Sequence, residues 1–268
     1  RKYSEKEIFK INNEFFLTNP FLKNEDFKIA HKILSENVNK NNKILVIGDY
    51  DVDGIVSTSL VVNFLNKLNI INSYYIPDRF KDGYGINLSL IKKLIQISKP
   101  NLIIMLDCGS NSKQVTDYLN KKNIQSIIID HHNVNIPISK KVVLINPKKI
   151  CTYNNLDYLC SAFLTYFFLD YYIYKSGLNF NIENQLSNVA LATIADVMPL
   201  REINKFLIKY LINKNLFDEN KIFKILLELD SRKKKIDTND LAYLISPIIN
   251  SAGRLDNANE VVELLTSN

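Results

Sequence analysis

Residues 43–54 have the sequence KILVIGDYDVDG, in which a short apolar run meets a glycine and three alternating aspartates. The run Ile44–Ile47 is apolar at every position, which is typical of a strand buried on both faces of a parallel sheet. The stretch 55–68 that follows has the apolar period and the length of a helix. A strand followed closely by a helix predicts the first unit of a strand–helix–strand fold.

The same unit recurs as far as residue 148. Strands are predicted at 44–47, 73–76, 102–106, 126–129 and 142–145, and helices between them at 55–68, 88–98 and 112–121. The sequence therefore predicts an α/β fold with a doubly wound, mainly parallel sheet of about five strands. A helical subregion is predicted to follow, with helices at 159–174, 183–195, 204–213, 222–229, 241–245 and 257–266.

The chain is divided by these patterns into three regions. Residues 1–40 are predicted to form two helices, which we interpret as an N-terminal helical arm or an edge layer. Residues 41–150 are the α/β layer and residues 151–268 the helical part of one main domain. The chain starts at Arg1 and ends inside a predicted helix, so we expect a fragment of a longer protein.

The composition is that of a globular protein, since 46% of the 268 residues are hydrophobic and 23% are charged. No apolar run reaches the roughly 18 residues that a membrane-spanning helix needs, so no membrane partner is expected. The three cysteines are an odd number without close metal-ligand spacing, and no leader is evident, which favours a cytoplasmic location. The net charge of +6 would attract a polyanion such as nucleic acid, or it reflects the general abundance of lysine.

Acidic and histidine side chains collect where three predicted strands end. They are Asp49, Asp51 and Asp53 after the first strand, Asp107 after the third, and Asp130, His131 and His132 after the fourth. Ligands of open parallel sheets bind beyond the carboxyl ends of the strands, and carboxylates gathered there repel one another unless cations lie among them. Two divalent cations are therefore predicted, with Mn²⁺ preferred for a mixed carboxylate and imidazole set and Mg²⁺ as the alternative. A helix cap at Asp107 and a satisfied turn at the histidines are the structural alternatives.

Four segments, in this order, resemble the motifs of the DHH phosphoesterase family. They are DYDVDG at 49–54, LDCG at 106–109, DHH at 130–132 and ATIADVMPL at 192–200. Two more segments, DRFKDGYG at 78–85 and INSAGRLD at 249–256, resemble the RecJ branch of that family. The resemblance covers about residues 40–265. It implies that 41–268 is a DHH catalytic domain, and that the DHH-associated and oligonucleotide-binding domains of such enzymes are missing.

The resemblance also implies a role for each motif residue. Two cations are held by Asp51, Asp53, Asp107, His131 and Asp196, with Asp107 bridging them. Asp49 assists the first site, because Ile47 stands where some relatives have a histidine. His132 faces the scissile phosphate. Asp130 does not bind a metal itself but orients the histidines by hydrogen bonding, since ligating imidazoles usually need a fixed hydrogen-bond partner. The adjacent side chains of His131 and His132 are expected to point to opposite sides of an extended segment. For Asp196, a helix-ending cap before Pro199 is the structural alternative.

Substrate contacts are implied for the two outer segments. Arg79 is expected to recognise the 5′ end of a strand, and Tyr84 to stack on bases. Arg254 is expected to clamp a phosphate, with Asn250 and Gly253 in the same binding segment. Ordinary loop packing for Tyr84 and a surface turn for Arg254 are the alternatives.

The function implied is a single-stranded-DNA-specific 5′→3′ exonuclease of DNA repair and recombination, which hydrolyses phosphodiester bonds by a two-metal mechanism. Single-stranded DNA is the expected partner, and single-strand-binding protein and a helicase are further expected partners. One alternative is another DHH phosphoesterase, acting on oligonucleotides or cyclic dinucleotides, and another is a catalytically weak scaffold that binds single strands. A haloacid-dehalogenase-type phosphatase would use Asp51 as nucleophile and Asp53 as acid and base, but it leaves the DHH segment unexplained.

Overall fold

The computed structural model describes residues 17–78, 81–83, 85–135, 139, 142–149, 155–229, 235–254 and 258–267, with Leu229 and Arg254 described by their backbone alone. Five strands form one parallel sheet: β1 (Ile44–Ile47), β2 (Asn72–Tyr75), β3 (Leu102–Leu106), β4 (Gln125–Ile129) and β5 (Val143–Ile145). Their order in the sheet is β2-β1-β3-β4-β5. The predicted α/β fold with a mainly parallel sheet is confirmed, and all four strand pairs are parallel.

The helices lie on both faces of the sheet and in the region after it. They are α1 (Glu25–Asn39), α2 (Val52–Lys67), α3 (Leu88–Ser98), α4 (Lys113–Lys121), α5 (Ser161–Ser176), α6 (Leu186–Ala195), α7 (Glu202–Asn213), α8 (Lys221–Leu229), α9 (Thr238–Asp240), α10 (Ser246–Arg254) and α11 (Ala258–Thr266). The predicted helical subregion after the sheet is confirmed. Among the described helices, none combines the length and the apolar character needed to cross a membrane.

The sheet divides the apolar core into two layers. Ile44 and Val46 of β1 pack into the layer that contains α2 and α5, whereas Leu45 and Ile47 pack into the layer that contains α3 and α4. All four side chains are buried, which explains why this strand is apolar at every position. The larger layer contains the aromatic side chains of α5.

Helix α1 packs against the body of the protein. Phe27, Ala30 and Leu34 are fully buried, and the helix contacts β5 and α5. Residues 25–39 therefore pack as an edge layer, which is one of the two interpretations given above for residues 1–40. The other predicted N-terminal helix lies outside the described residues.

The segment after Asp237 is one nearly continuous helical rod. Helix α9 leads into a π-helical turn at Leu241–Ile245 and then into α10. The Ser246 hydroxyl donates to the Leu241 carbonyl over 2.7 Å, and Pro247, which has no N–H to donate to the preceding turn, closely follows the π-helical turn. The surface turn considered at Arg254 is therefore wrong, because the backbone there is helical.

Candidate metal centre

The strand order reverses direction around β1, which has β2 on one side and β3 on the other. In an open parallel sheet, the crevice outside the carboxyl ends of the strands at such a switch point is the usual ligand site. The segment after β1 contains Asp49, Asp51 and Asp53, and the residue after β3 is Asp107. The topology therefore brings the predicted carboxylates to one crevice.

Close backbone packing shapes the segment after β1, residues 48–54. Asp51 is the N-cap of α2, and its carboxylate accepts the Gly54 N–H over 3.0 Å. A Cβ added at Gly54 would lie 2.4 Å from the Asp49 carbonyl oxygen, so only glycine fits against this backbone. The helix starts three residues before the predicted boundary, because the Asp51 cap supplies its first turn.

Helix α10 packs against the same segment. The Asn250 side-chain oxygen accepts the Val52 N–H over 3.2 Å. A Cβ added at Gly253 would lie 2.1 Å from the Tyr50 carbonyl oxygen. Both residues were predicted to bind substrate, and their contacts in the described structure are instead with the backbone of the acidic segment. A direct substrate contact by either residue stays a prediction.

Asp107 lies at the end of β3, and its N–H continues the ladder by donating to the Ile129 carbonyl over 2.9 Å. Its φ of 59° is left-handed, a conformation that aspartate and asparagine adopt more readily than most residues. The side chain is buried, and its Oδ2 atom has no hydrogen-bond partner among the described residues. Asp107 does not cap a helix, since α4 has Ser112 at its N-cap.

His131 lies among three carboxylates. Its Nε2 atom is 3.4 Å from Asp107 Oδ1, 3.4 Å from Asp196 Oδ2 and 3.8 Å from Asp53 Oδ2. The imidazole is buried, and its Nδ1 atom has no hydrogen-bond partner within the described ranges. A structural turn in which the hydrogen-bonding groups of the histidine are all paired therefore does not describe His131.

His132 forms a dyad with Asp130. Its Nδ1 atom is 2.8 Å from Asp130 Oδ1, and its backbone N–H donates to the same oxygen over 3.1 Å. The other Asp130 oxygen accepts the Ser110 N–H over 3.0 Å. The ring centroids of His131 and His132 are only 4.7 Å apart, so the expectation that they point to opposite sides is wrong. The chain turns after Asp130, and the alternation of an extended strand does not apply.

Asp196 is brought to the centre by the C-terminus of α6, where it is the C-cap. Val197 after it has a φ of 52°, and the Met198 N–H donates back to the Thr193 carbonyl over 3.1 Å. A left-handed β-branched residue is strained, and such strain is often found beside functional groups. Asp196 is thus both the helix-ending cap and a member of the acidic cluster.

Three groups of side chains have donor atoms that all lie within 4.8 Å of one another. They are Asp49, Asp51 and Asp107; Asp53, His131 and Asp196; and Asp107, His131 and His132. Asp107 belongs to two of these groups, and every metal ligand predicted from the sequence belongs to at least one. Ligands about 2.1 Å from a common octahedral cation lie about 3.0 Å apart, somewhat closer together than the 3.4–3.8 Å spacings around His131 Nε2. The donor set is made of hard oxygens and imidazole, which fits Mn²⁺ or Mg²⁺.

The electrostatics of the cluster also favour a cation. Burial, and then the neighbouring Asp51, raise the pKa of Asp49 to about 7. Burial and then Asp53 raise the pKa of Asp196 to about 7, and the same two causes raise the pKa of Asp107 well above its usual value. Each shift opposes the charged carboxylate, and a bound cation would reverse it.

In the dyad of Asp130 and His132, the pKa shifts favour the charged forms, the opposite of the shifts at Asp49, Asp107 and Asp196. Burial alone would raise the pKa of Asp130, but hydrogen bonds from His132 and Ser110 outweigh it and hold that pKa below its usual range. The hydrogen bond to Asp130 in turn raises the pKa of His132. Asp130 therefore stays ionised and holds a proton on Nδ1 of His132.

Several contributing residues were not predicted from the sequence. Ser161 and Ala162, at the start of α5, donate their backbone N–H groups to the two oxygens of Asp53 over 2.7 and 2.8 Å. The Asn146 amide donates to the His132 carbonyl and to the Ser110 hydroxyl. Asn204 donates to the carbonyls of Tyr158 and Pro199, which joins the segments leading to Ser161 and away from Asp196. Only Asn146 follows a predicted strand end, the signal that could have identified it.

Some predicted residues cannot be placed. Arg79, Tyr84 and the side chain of Arg254 lie outside the described residues. Cys108 is buried with its thiol 3.9 Å from the Ile47 carbonyl, and it belongs to none of the three donor groups.

The family model described as "DHH family, N-terminal domain" matches residues 43–198 of this chain. The chain belongs to the DHH family. The match covers all five strands of the sheet together with the segments that contain Asp53, Asp107, His131 and Asp196.

Individual members of the DHH family are similar over most of this chain. The single-stranded-DNA-specific exonuclease RecJ of Haemophilus influenzae is 30% identical over 251 residues, which is 89% of this chain and 43% of the relative. The RecJ of Escherichia coli is 29% identical over 249 residues, 88% of this chain and 43% of the relative. The chain therefore spans less than half the length of these relatives.

Solved structures of DHH proteins have the same fold. The crystal structure of exonuclease RecJ bound to manganese superposes with a TM-score of 0.79 at 24% identity, covering 95% of this chain and 63% of that one. RecJ from Thermus thermophilus in complex with Mn²⁺ has a TM-score of 0.77 at 24% identity and covers 93% of this chain and 36% of that one. These likenesses support the fold described above.

The raised carboxyl pKa values predict that Mn²⁺ binding to this DHH centre releases protons. Asp49 and Asp196, each with a pKa of about 7, are partly protonated at pH 6.5, and the cation competes with those protons. Below pH 7, the apparent affinity for Mn²⁺ should fall about tenfold per pH unit for each proton that the cation displaces. Calorimetry at pH 6.5 in buffers of different ionisation enthalpy measures the release, with pH 8.5 as the control at which it should shrink. Binding heats that do not depend on the buffer at pH 6.5 would contradict the expectation.

Proposed function

We propose that this chain is the catalytic part of a single-stranded-DNA-specific 5′→3′ exonuclease, which hydrolyses phosphodiester bonds with two divalent cations in DNA repair and recombination. The observation that carries the proposal is Asp107, which shares one donor group with Asp49 and Asp51 and another with His131. A carboxylate placed between two ligand groups suits a pair of cations. The similarity to RecJ exonucleases supports the choice of substrate.

The two cations are assigned to the two sides of Asp107. Asp49 and Asp51 would hold one, and Asp53, His131 and Asp196 would hold the other. When bound, the pair would activate water and stabilise the charge that develops on the phosphate and on the leaving oxygen. We propose Mn²⁺ in preference to Mg²⁺, because an imidazole is among the ligands.

Asp130 and His132 are assigned to positioning the substrate phosphate and to holding protons. Asp130 holds one proton of His132 on Nδ1 and raises the pKa of the ring, which favours a second proton on Nε2 that could be donated or transferred to a phosphate oxygen. The His132 side chain is 45% exposed, whereas that of His131 is 8% exposed. His132 is therefore the histidine that a substrate can reach, and His131 the one that stays with the carboxylates.

The route for DNA is assigned to the outer segments. Arg254 stands at the end of α10, one residue after the glycine that contacts the Tyr50 carbonyl, so its backbone is close to the acidic segment. We propose that Arg254 holds a phosphate there, and that Arg79 and Tyr84 receive the 5′ end and its first bases. Single-strand-binding protein and a helicase stay predicted partners, and the cytoplasm stays the predicted location.

The test is digestion of end-labelled DNA in the presence of Mn²⁺. Single strands should shorten from the 5′ end, and blunt duplex should resist, because unpairing costs roughly a few kcal/mol per nucleotide extruded. A 3′-labelled strand of the same sequence controls for polarity, and EDTA controls for the metal.

Other outcomes separate the alternatives. Shortening from the 3′ end, or equal cleavage of blunt duplex, would refute the exonuclease assignment and leave a two-metal phosphoesterase. Hydrolysis of a cyclic dinucleotide without hydrolysis of single strands would favour another DHH phosphoesterase. Binding of single strands without hydrolysis of any of these substrates would favour a scaffold.

A further inference from the structure

The hydroxyl of Ser161 contacts the shared carboxylate of the metal centre. Ser161 is the first residue of α5 and is fully buried. Its Oγ–H donates to Asp107 Oδ1 over 2.9 Å, while its backbone N–H donates to Asp53 Oδ2 over 2.7 Å. One residue thus contacts a carboxylate from each half of the proposed two-metal site.

The contact distinguishes the two oxygens of Asp107. Oδ1 accepts the Ser161 hydroxyl, whereas Oδ2 is buried without a hydrogen-bond partner in the described part of the chain. A carboxylate held at one oxygen cannot rotate freely, so the other oxygen is presented in a fixed direction. We propose that Ser161 is a positioning residue of the metal centre, which fixes the orientation of Asp107 by holding its Oδ1 atom, the one that lies 3.4 Å from His131 Nε2; this inference rests on the proposed two-metal function.

Helix capping does not account for the hydroxyl. A serine that caps a helix accepts an N–H of the first turn. Ser161 instead donates its hydroxyl out of the helix, and the N-cap position before it is Cys160, which makes no side-chain cap hydrogen bond. Removing the hydroxyl therefore takes no hydrogen bond from α5, and the two N–H groups that donate to Asp53 stay in place.

The expected effect is on metal affinity. Hydrogen-bond partners of metal ligands typically change affinity 10–100-fold when they are removed, because the ligand must then be oriented as the metal binds. Ser161→Ala should accordingly weaken Mn²⁺ binding by about 10–100-fold. The Mn²⁺ concentration for half-maximal turnover should rise in step, with the KM for single-stranded DNA unchanged.

The experiment compares Ser161→Ala with Ser57→Ala. Ser57 is also fully buried, on α2, and its hydroxyl has no hydrogen-bond partner among the described residues, so this control removes the same atom from a helix without touching a ligand. Mn²⁺ titration by calorimetry gives the affinity, Mn²⁺ paramagnetic resonance reports the ligand environment, and melting in EDTA reports folding. Ser161→Gly, which also lacks the hydroxyl, serves as a second variant.

The proposal expects both Ser161 variants to lose Mn²⁺ affinity and to change the resonance spectrum, with melting in EDTA close to that of Ser57→Ala. Affinity within twofold of the wild type in a folded Ser161 variant would overturn it. A wild-type chain that binds no Mn²⁺ would overturn the two-metal function itself, and with it this inference. The wild-type titration therefore separates the two failures.

Discussion

Asp107→Asn is expected to lower hydrolysis by about 100- to 1,000-fold, the scale of loss when one preorganised electrostatic group is removed from an active site. Both cations should bind more weakly, because Asp107 stands between the two donor groups. Asparagine is the informative substitution, since it tolerates the left-handed φ of 59° that alanine would adopt only at a cost of about 1–2 kcal/mol. Melting in EDTA should change little, since burial and Asp53 raise the pKa of Asp107 and so already favour its uncharged form in the metal-free cluster.

The matched control is Asp117→Asn, the same chemical change on an exposed carboxylate of α4 that pairs with Lys113 over 2.6 Å. It should change the free energy of unfolding by no more than about 0.5 kcal/mol and leave Mn²⁺ binding intact. Calorimetry and single-strand digestion measure both variants. Two Mn²⁺ ions bound by Asp107→Asn at wild-type affinity would show that Asp107 does not bridge the sites.

Gly253→Ala is expected to damage the metal centre from a distance in sequence. The new Cβ would lie 2.1 Å from the Tyr50 carbonyl oxygen, so α10 and the acidic segment must move apart. Such overpacking typically costs about 1–3 kcal/mol of stability. Displacement of Asp51 and Asp53 by about 1 Å can lower turnover by about 100-fold.

Ser251→Ala is the control on the same helix, because Ser251 is exposed and its hydroxyl donates to the Ile248 carbonyl of that helix. Melting temperature, Mn²⁺ affinity and affinity for single-stranded DNA are measured for both variants. If Gly253→Ala melts and binds Mn²⁺ like the wild type but loses affinity for DNA, then the glycine is a substrate contact, as its sequence motif predicted. The structural expectation is the reverse, loss of metal and of stability together.

The sequence was sufficient to predict the sheet and the acidic and histidine side chains that cluster at its edge. Hydrophobic period is a local property, so β1 and β3 were predicted with the bounds that the structure has. The carboxyl ends of parallel strands lie at the same edge of a sheet. Asp53, Asp107 and His131 each follow the end of a predicted strand, so the sequence is enough to assign them to one crevice.

Two expectations failed where the local rule no longer applied. The two histidines were treated as part of an extended segment, but Asp130 accepts both the N–H and the Nδ1–H of His132, which turns the chain. No helix was predicted for residues 246–254, and a surface turn was the alternative considered for Arg254. The glycine is needed for contact with Tyr50, and the proline closely follows the π-helical turn.

Only the tertiary structure decided which groups hold the ligands in place. Ser161 and Asp107 are 54 positions apart, and Asn250 and Val52 are 198 positions apart. A serine at a helix start and an asparagine within a helix have no local pattern that identifies such partners, since both residues are common on surfaces. The amino-acid sequence by itself determined the parallel sheet and the cluster of carboxylate and imidazole side chains at its edge, because these follow from local period and strand direction. The orientation of those ligands follows from packing between distant elements, which only the folded chain defines.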